Sequence, residues 1–430
     1  MPWFLVDISY YAIKCSNDFK AIIPSNHDFM NLYDQFLKYD EKLTSSHYEK
    51  YNDTDKLFYI LFGLSHKSFW FQEKYRMLRM NARFYELLCE IPKRNTAVTQ
   101  FYRHIEEKYG IDFPTYNMSS LALLSISTNN VYYLFPYNID SKLKKRNIDN
   151  NLLSTMLQDY IEDYDSIRRS SLESKQLYLT PIVRTNQNQL LATSAFLIAK
   201  KAATNLYWET RNLYRDNEGK ELNQMLGNSF EIYVDELLAH YLPKHKYERL
   251  PERRKQKRAD IVITTNSYKI ITEQKFAMLN ISLQDTIFDL EKIDRWLESY
   301  VQAVKQLGET EKQIDLENKI VIKLILFFDD LFIADGLVRE RILKLYKQKT
   351  RETIDLNNVF MIDIGDYEML IHLIAYSDDL FNKVMRTKIE REDNKDYSKG
   401  VEFRQIFQEY GAVENDYINT KRLFGLDQNR

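Results

Sequence analysis

With 430 residues, 44% of them apolar, the chain is long enough for two or three domains with large cores and too apolar to be disordered. Two cysteines, Cys15 and Cys89, and seven histidines without a His-x-x-x-His pair exclude a disulfide framework, a cysteine zinc site and a zinc-hydrolase helix, and they point to a reduced, cytoplasmic setting. A net charge of −2 excludes no partner, since clustered charge can serve nucleic acid; the absence of a long apolar run and of a basic leader predicts neither a membrane span nor a secretory signal.

Residues 1–215 read as a mostly helical region. Leu57–Cys89 spaces apolar and aromatic residues three and four apart, as a buried helical layer does. Asn130–Phe135 is a short strand, Lys142–Asn151 a polar, basic loop, and Leu152–Ser174 a helix. Tyr178–Val183 is extended, because Pro181 disfavours helix at the residue before it. Helix returns over Gln189–Tyr214. From 216 to 380 strands and helices interleave, which predicts an α/β (α+β) core. The order is helix Leu222–Leu242, an extended piece Tyr247–Pro251, a hairpin over 258–277, a connection Ile281–Leu290, and helix Leu290–Leu307 ended by Gly308. Then come Lys319–Phe328, an apolar strand of the kind buried on both faces, helix Ala334–Lys349, strand Asn358–Ile364 and helix Tyr367–Ala375. Residues 381–430 form a charged helical extension and tail.

The hairpin carries the chemistry. Arg258-Ala259-Asp260-Ile261-Val262-Ile263 and Ile270-Ile271-Thr272-Glu273-Gln274-Lys275 are two apolar strands joined by a polar turn. If Asn266-Ser267 is a two-residue turn, Asp260 lies opposite Glu273 on one face, their Cβ atoms about 5 Å apart. Lys275 shares that face, and a slip of one residue would separate the set. Two carboxylates this close repel unless a cation lies between them. A divalent ion that prefers oxygen, Mg²⁺ or Mn²⁺, meets that demand. A lysine beside it can orient or deprotonate a water, or stabilise charge developing on a phosphoryl group. The run Glu252–Arg258 holds five positive charges in seven residues and leads straight into Asp260. Arg253, Arg254, Lys255, Lys257 and Arg258 are therefore candidate phosphate contacts. No aromatics interleave with them, so they would position backbone rather than read sequence.

This arrangement resembles the PD-(D/E)XK nuclease superfamily, the restriction-endonuclease-like fold, over about residues 222–330. Gly227-Asn228-Ser229-Phe230-Glu231 lies in the helix before the hairpin, where the family often places an extra acid. Asp260 takes the place of the motif's aspartate, and Glu273-Gln274-Lys275 that of (D/E)-x-K. A helix with Tyr300, Gln302 and Gln306 follows, where RecB-like members carry a Gln or Tyr. Ala259 stands where the name motif has Pro. The resemblance implies an αβββαβ core in the second half. It implies Mg²⁺ or Mn²⁺ held by Asp260, Glu273, the Gln274 backbone carbonyl and Glu231. It implies a catalytic set of Lys275, Glu273, Asp260, Glu231 and Gln302, acting as an endonuclease on nucleic acid. DNA is favoured over RNA because most of the family cuts DNA. A helical region of unread role joined to such a core resembles bacterial anti-phage effectors and restriction enzymes; a homodimer and a partner subunit of a defence complex both stay open. So do a catalytically idle nucleic-acid-binding or scaffold protein that keeps the fold, and an interaction protein in which the match is accidental. No P-loop and no Gly-x-Ser-x-Gly elbow offers a competing chemistry.

Overall fold

Helices dominate the first half: α1 (Pro2–Lys14), α2 (Asn26–Tyr48), α3 (Lys74–Tyr85), α4 (Ile91–Arg94), α5 (Tyr102–Tyr109) and α6 (Phe113–Asn129). Between α3 and α4 the run widens into a π turn, Glu86–Glu90, two residues ahead of Pro92, which has no N–H to give to an α-helical bond. A small mixed sheet follows, of β1 (Leu134–Phe135), β2 (Ile161–Asp163), β3 (Ile182–Arg184) and β4 (Leu190–Ala192) in the order β1-β4-β3-β2. Helices α7 (Tyr164–Arg169) and α8 (Lys175–Leu179) lie between β2 and β3. The long α9 (Ala195–Leu213) closes this half. The computed structural model describes residues 2–14, 25–49, 51–53, 55–58, 60, 62, 74–129, 134–135, 155–170, 175–186, 188, 190–192, 194–213, 220–251, 258–276, 278, 290–328, 335–350, 356–393, 402–412, 415 and 417–418.

Two expected helices are corrected here. Leu152–Ser174 is not one helix: β2 interrupts it, pairing in parallel with β3 from Ile161↔Ile182 to Asp163↔Arg184. Gln189–Tyr214 likewise opens as strand β4, antiparallel to β3. In both segments sheet pairing prevails over local helical spacing.

The second half begins with α10 (Lys220–Tyr241), where Leu222, Leu226, Phe230, Tyr233, Val234, Leu237 and Leu238 are buried at the spacing of one helical face. Then come β5 (Tyr247–Arg249), β6 (Ile261–Thr264), β7 (Tyr268–Lys275), α11 (Leu290–Glu311), β8 (Ile320–Phe327), α12 (Asp335–Lys349), β9 (Val359–Asp363), α13 (Ile364–Tyr376), α14 (Asp378–Asp393) and α15 (Phe403–Glu409). The five strands form one mixed sheet in sequence order. β5, β6 and β7 are antiparallel, whereas β7, β8 and β9 are parallel. The α+β class expected from the sequence is therefore observed as a mostly helical chain with two small mixed sheets. Gly308 does not end α11, which runs on to Glu311 with Gly308 buried; one interior glycine costs about 1 kcal/mol, which packing offsets.

The large sheet is covered on both faces. Ile261, Ile263, Ile270, Leu324, Leu326 and Phe360 point into a core that also holds Phe230 and Leu237 of α10. Ile271, Ile325, Phe327, Val359 and Met361 point the other way, onto Ile293, Leu297, Tyr300 and Val304 of α11 and Ile342 and Tyr346 of α12. Each such side chain, fully buried, contributes roughly 1.5–3 kcal/mol. The first core also draws on residues before 215 and after 380. It includes Met80, Phe84 and Leu88 from the first half and Phe403, Phe407 and Tyr417 from the C-terminal extension. Phe84 lies 5.1 Å from Phe328, ring to ring. Arg83 makes a buried two-point pair with Glu368 of α13 at 2.8 and 2.9 Å, and Tyr233 of α10 donates to the same carboxylate at 2.6 Å.

Candidate functional site

The hairpin turn has the length expected of it. Thr265 N donates to Tyr268 O at 2.9 Å, leaving Asn266 and Ser267 as the two turn residues. The ladder then runs from Thr264↔Lys269 to Ile261↔Thr272. Asp260 lies just before the paired strand and its N–H donates to Thr272 O at 3.0 Å, so the regular pairing expected to set Asp260 directly opposite Glu273 is not continued there. The parallel strands β7, β8 and β9 end at this same edge, at Lys275, Phe327 and Asp363. The carboxyl ends of parallel strands are where open sheets of this kind carry their sites.

Glu273 is 1% exposed and lies on the α11 face of the sheet. Its Oε1 accepts from Lys275 Nζ at 2.5 Å. Its Oε2 is buried and meets no hydrogen-bond donor among the described residues. The Asp260 and Glu273 carboxyls stand close enough to hydrogen-bond when one is protonated. Asp260 Oδ2 accepts from the Gln274 N–H at 2.7 Å. Burial raises the Asp260 carboxyl above its ordinary value, against the Gln274 N–H and the charges of Lys275 and Arg249. Burial first, and the neighbouring Asp260 charge second, push Glu273 up to about 8, against the pull of Lys275. The donor set suits a hard divalent cation: two adjacent carboxylates, one with an orphaned buried oxygen. Among the described residues no group of three or more His, Cys, Asp and Glu gathers to hold a metal. An ion held by Asp260 and Glu273 would thus complete its shell with water, main-chain carbonyl or phosphate oxygens, as Mg²⁺ commonly does.

Helix α11 braces the set. Gln306 Oε1 lies 3.4 Å from Lys275 Nζ, and Gln306 Nε2 donates to the Arg258 main-chain oxygen at 3.0 Å. Thr310 Oγ1 accepts from the Ala259 N–H at 2.7 Å and donates to Gln306 O at 2.8 Å, which pins the start of β6. Gln302, expected in the catalytic set, lies one turn earlier and half-buried, without a polar contact to Lys275, Glu273 or Asp260. Gln306, not Gln302, is the glutamine that the structure sets beside Lys275; both belong to one helical stripe, and the stripe alone does not say which turn meets the strand.

Glu231 is exposed on α10, its Oε2 lying 3.7 Å from Arg249 Nη1; the structure does not gather it with Asp260 and Glu273 as a metal-holding group. Arg258 Nε donates to Gln313 Oε1 at 2.6 Å. Arg253, Arg254, Lys255 and Lys257 lie outside the described residues, as does the basic cluster Lys142–Arg146. Arg249 and Asp235, 2.6 Å apart, were not legible as site residues, because nothing local says that β5 adjoins the strand of Asp260. Among the described residues no helix is long and apolar enough to cross a membrane. Comparison with protein-family models, curated proteins and solved structures returned no match.

Proposed function

We propose that the chain is a Mg²⁺- or Mn²⁺-dependent endonuclease of the PD-(D/E)XK kind that hydrolyses phosphodiester bonds, with DNA the favoured substrate. One observation carries the reading. Glu273 is buried beside Asp260, with one oxygen on Lys275 and the other without a donor among the described residues. A buried acid beside a second, half-buried acid is costly unless a cation or a proton sits between them. The order of α10, three antiparallel strands, α11 and a parallel β8 supports the reading, being the order that the resemblance calls for.

Asp260 and Glu273 would hold the ion, joined on the family resemblance by the Gln274 main-chain carbonyl. The ion, when bound, polarises a phosphoryl oxygen and makes a bound water acidic. Lys275, a fifth exposed, reaches the rim of the pair, where it orients the attacking water or meets the charge developing on the phosphoryl oxygens. Glu273 and Gln306 hold its ammonium from two sides. The basic run ahead of Asp260 draws in the phosphate backbone. A place in a bacterial anti-phage or restriction system extends this proposal on the resemblance alone.

Cleavage of plasmid DNA and of single-stranded RNA with Mg²⁺ or Mn²⁺ tests it, wild type against Lys275→Ala. The variant should lose at least ~10²-fold in rate while it folds and binds substrate normally. Cutting retained in Lys275→Ala would remove the mechanism. A folded wild type that cuts neither substrate and binds no Mn²⁺ would remove the reading.

A further inference from the structure

Strand alternation sends Gln274 to the opposite face of the sheet from Glu273 and Lys275. There its side-chain oxygen accepts from Arg249 Nη2 at 3.4 Å. Helix α10 fixes the same guanidinium elsewhere. Nε donates to Asp235 Oδ1 at 2.6 Å, and Nη2 donates to the main-chain oxygen of Glu231 at 3.1 Å. Arg249 ends β5, and the next residue, Leu250, donates its N–H to Asp260 O at 2.8 Å. On the far side of Gln274 its own N–H donates to Asp260 Oδ2. Contacts therefore run from Asp235 through Arg249 and Gln274 to Asp260, crossing the sheet through the middle residue of Glu273-Gln274-Lys275. A planar guanidinium fork can hold such a set of acceptors in one geometry, which an ammonium cannot.

We propose that Arg249, oriented by Asp235, is a positioning residue for the site. It fixes Gln274 and thereby the N–H that aims the Asp260 carboxylate at Glu273. The inference rests on the metal-dependent reading above and deepens it. It also moves the contribution of α10 from the Glu231 carboxylate to that of Asp235. To this fork Glu231 gives a hydrogen bond only through its main-chain oxygen, which any residue would supply; its exposed carboxylate lies 3.7 Å from Nη1, an ion pair beyond hydrogen-bond distance.

Amide hydrogen exchange at Gln274, followed by NMR in the metal-free protein, tests the positioning without needing metal or substrate. Arg249→Gln and Asp235→Asn should speed exchange there by at least ~10-fold, while the core amide of Ile263 is unchanged. Arg249→Lys, the milder change, should fall between, and Glu231→Gln should match wild type. In cleavage, Arg249→Gln should lose at least ~10-fold in kcat with KM for the nucleic acid within about 2-fold, because Arg249 touches no substrate. Unchanged Gln274 exchange in both Arg249 variants would overturn the proposal. So would a loss confined to KM, or Glu231→Gln proving as harmful as Asp235→Asn. A wild type that neither binds Mn²⁺ nor cuts would instead defeat the nuclease reading, and exchange would still decide what Arg249 does.

Discussion

Glu273 is the residue on which the physical chemistry concentrates. Its proton is held up to about 8 in the folded chain, whereas an unfolded chain releases it near 4.5. Between those values the folded state binds more protons, so its stability falls as pH rises through the window. Metal-free protein should therefore melt at progressively lower temperature from about pH 5 to pH 8, a loss on the order of a few kcal/mol. Glu273→Gln should flatten that slope, and Mn²⁺ should reverse the loss at the alkaline end by replacing the proton between the carboxylates. A melting temperature in wild type that is level across the window would show that the pair shares no proton. Asp260→Ala should weaken Mn²⁺ binding ~100-fold or more by calorimetry, since even losses one shell further out cost 10–100-fold. Affinity unchanged in that variant would place the ion elsewhere.

At the scale of elements, the hairpin was legible because its information is local. A two-residue turn and strict alternation fix the pairing as far as Ile261 and Thr272 and put Glu273 and Lys275 on one face, whereas Asp260 meets them from just outside the paired strand. Other features failed where the deciding partner is distant in sequence. β2 and β4 look helical until β3 is placed between them. Gln302 and Gln306 cannot be told apart until α11 is docked on β7. Arg249 gains its meaning only from the pairing of β5 with β6. The run ahead of β6 remains a matter of charge, and its prediction is electrostatic. Neutralising Arg253, Arg254, Lys255 and Lys257 together should reduce the slope of log affinity against log salt by about 0.9 for every duplex phosphate that is no longer neutralised. An unaltered slope would make the run a bystander.

On the scale of the whole molecule, the two halves are one piece of packing. The α10 face of the large sheet is completed by Phe84 and Leu88 from α3 and the π turn, and by Phe403 and Phe407 from α15. Arg83 and Glu368 join the halves again, through an ion pair that would be costly to leave half-made. Residues 216–430 expressed alone should therefore fail to give a cooperative thermal transition by circular dichroism, exposing apolar surface instead. A sharp transition from that fragment would show that the sheet needs nothing from the first half.

The shared core also bears on descent. A catalytic unit that can be cut out at a linker travels between genes as a cassette and acquires new companions by recombination. Here a crossover near residue 215 would part Phe84 from Phe328 and Arg83 from Glu368 in a single event. An exchange of one half for an unrelated one should therefore destabilise the chain, because the incoming half brings neither partner.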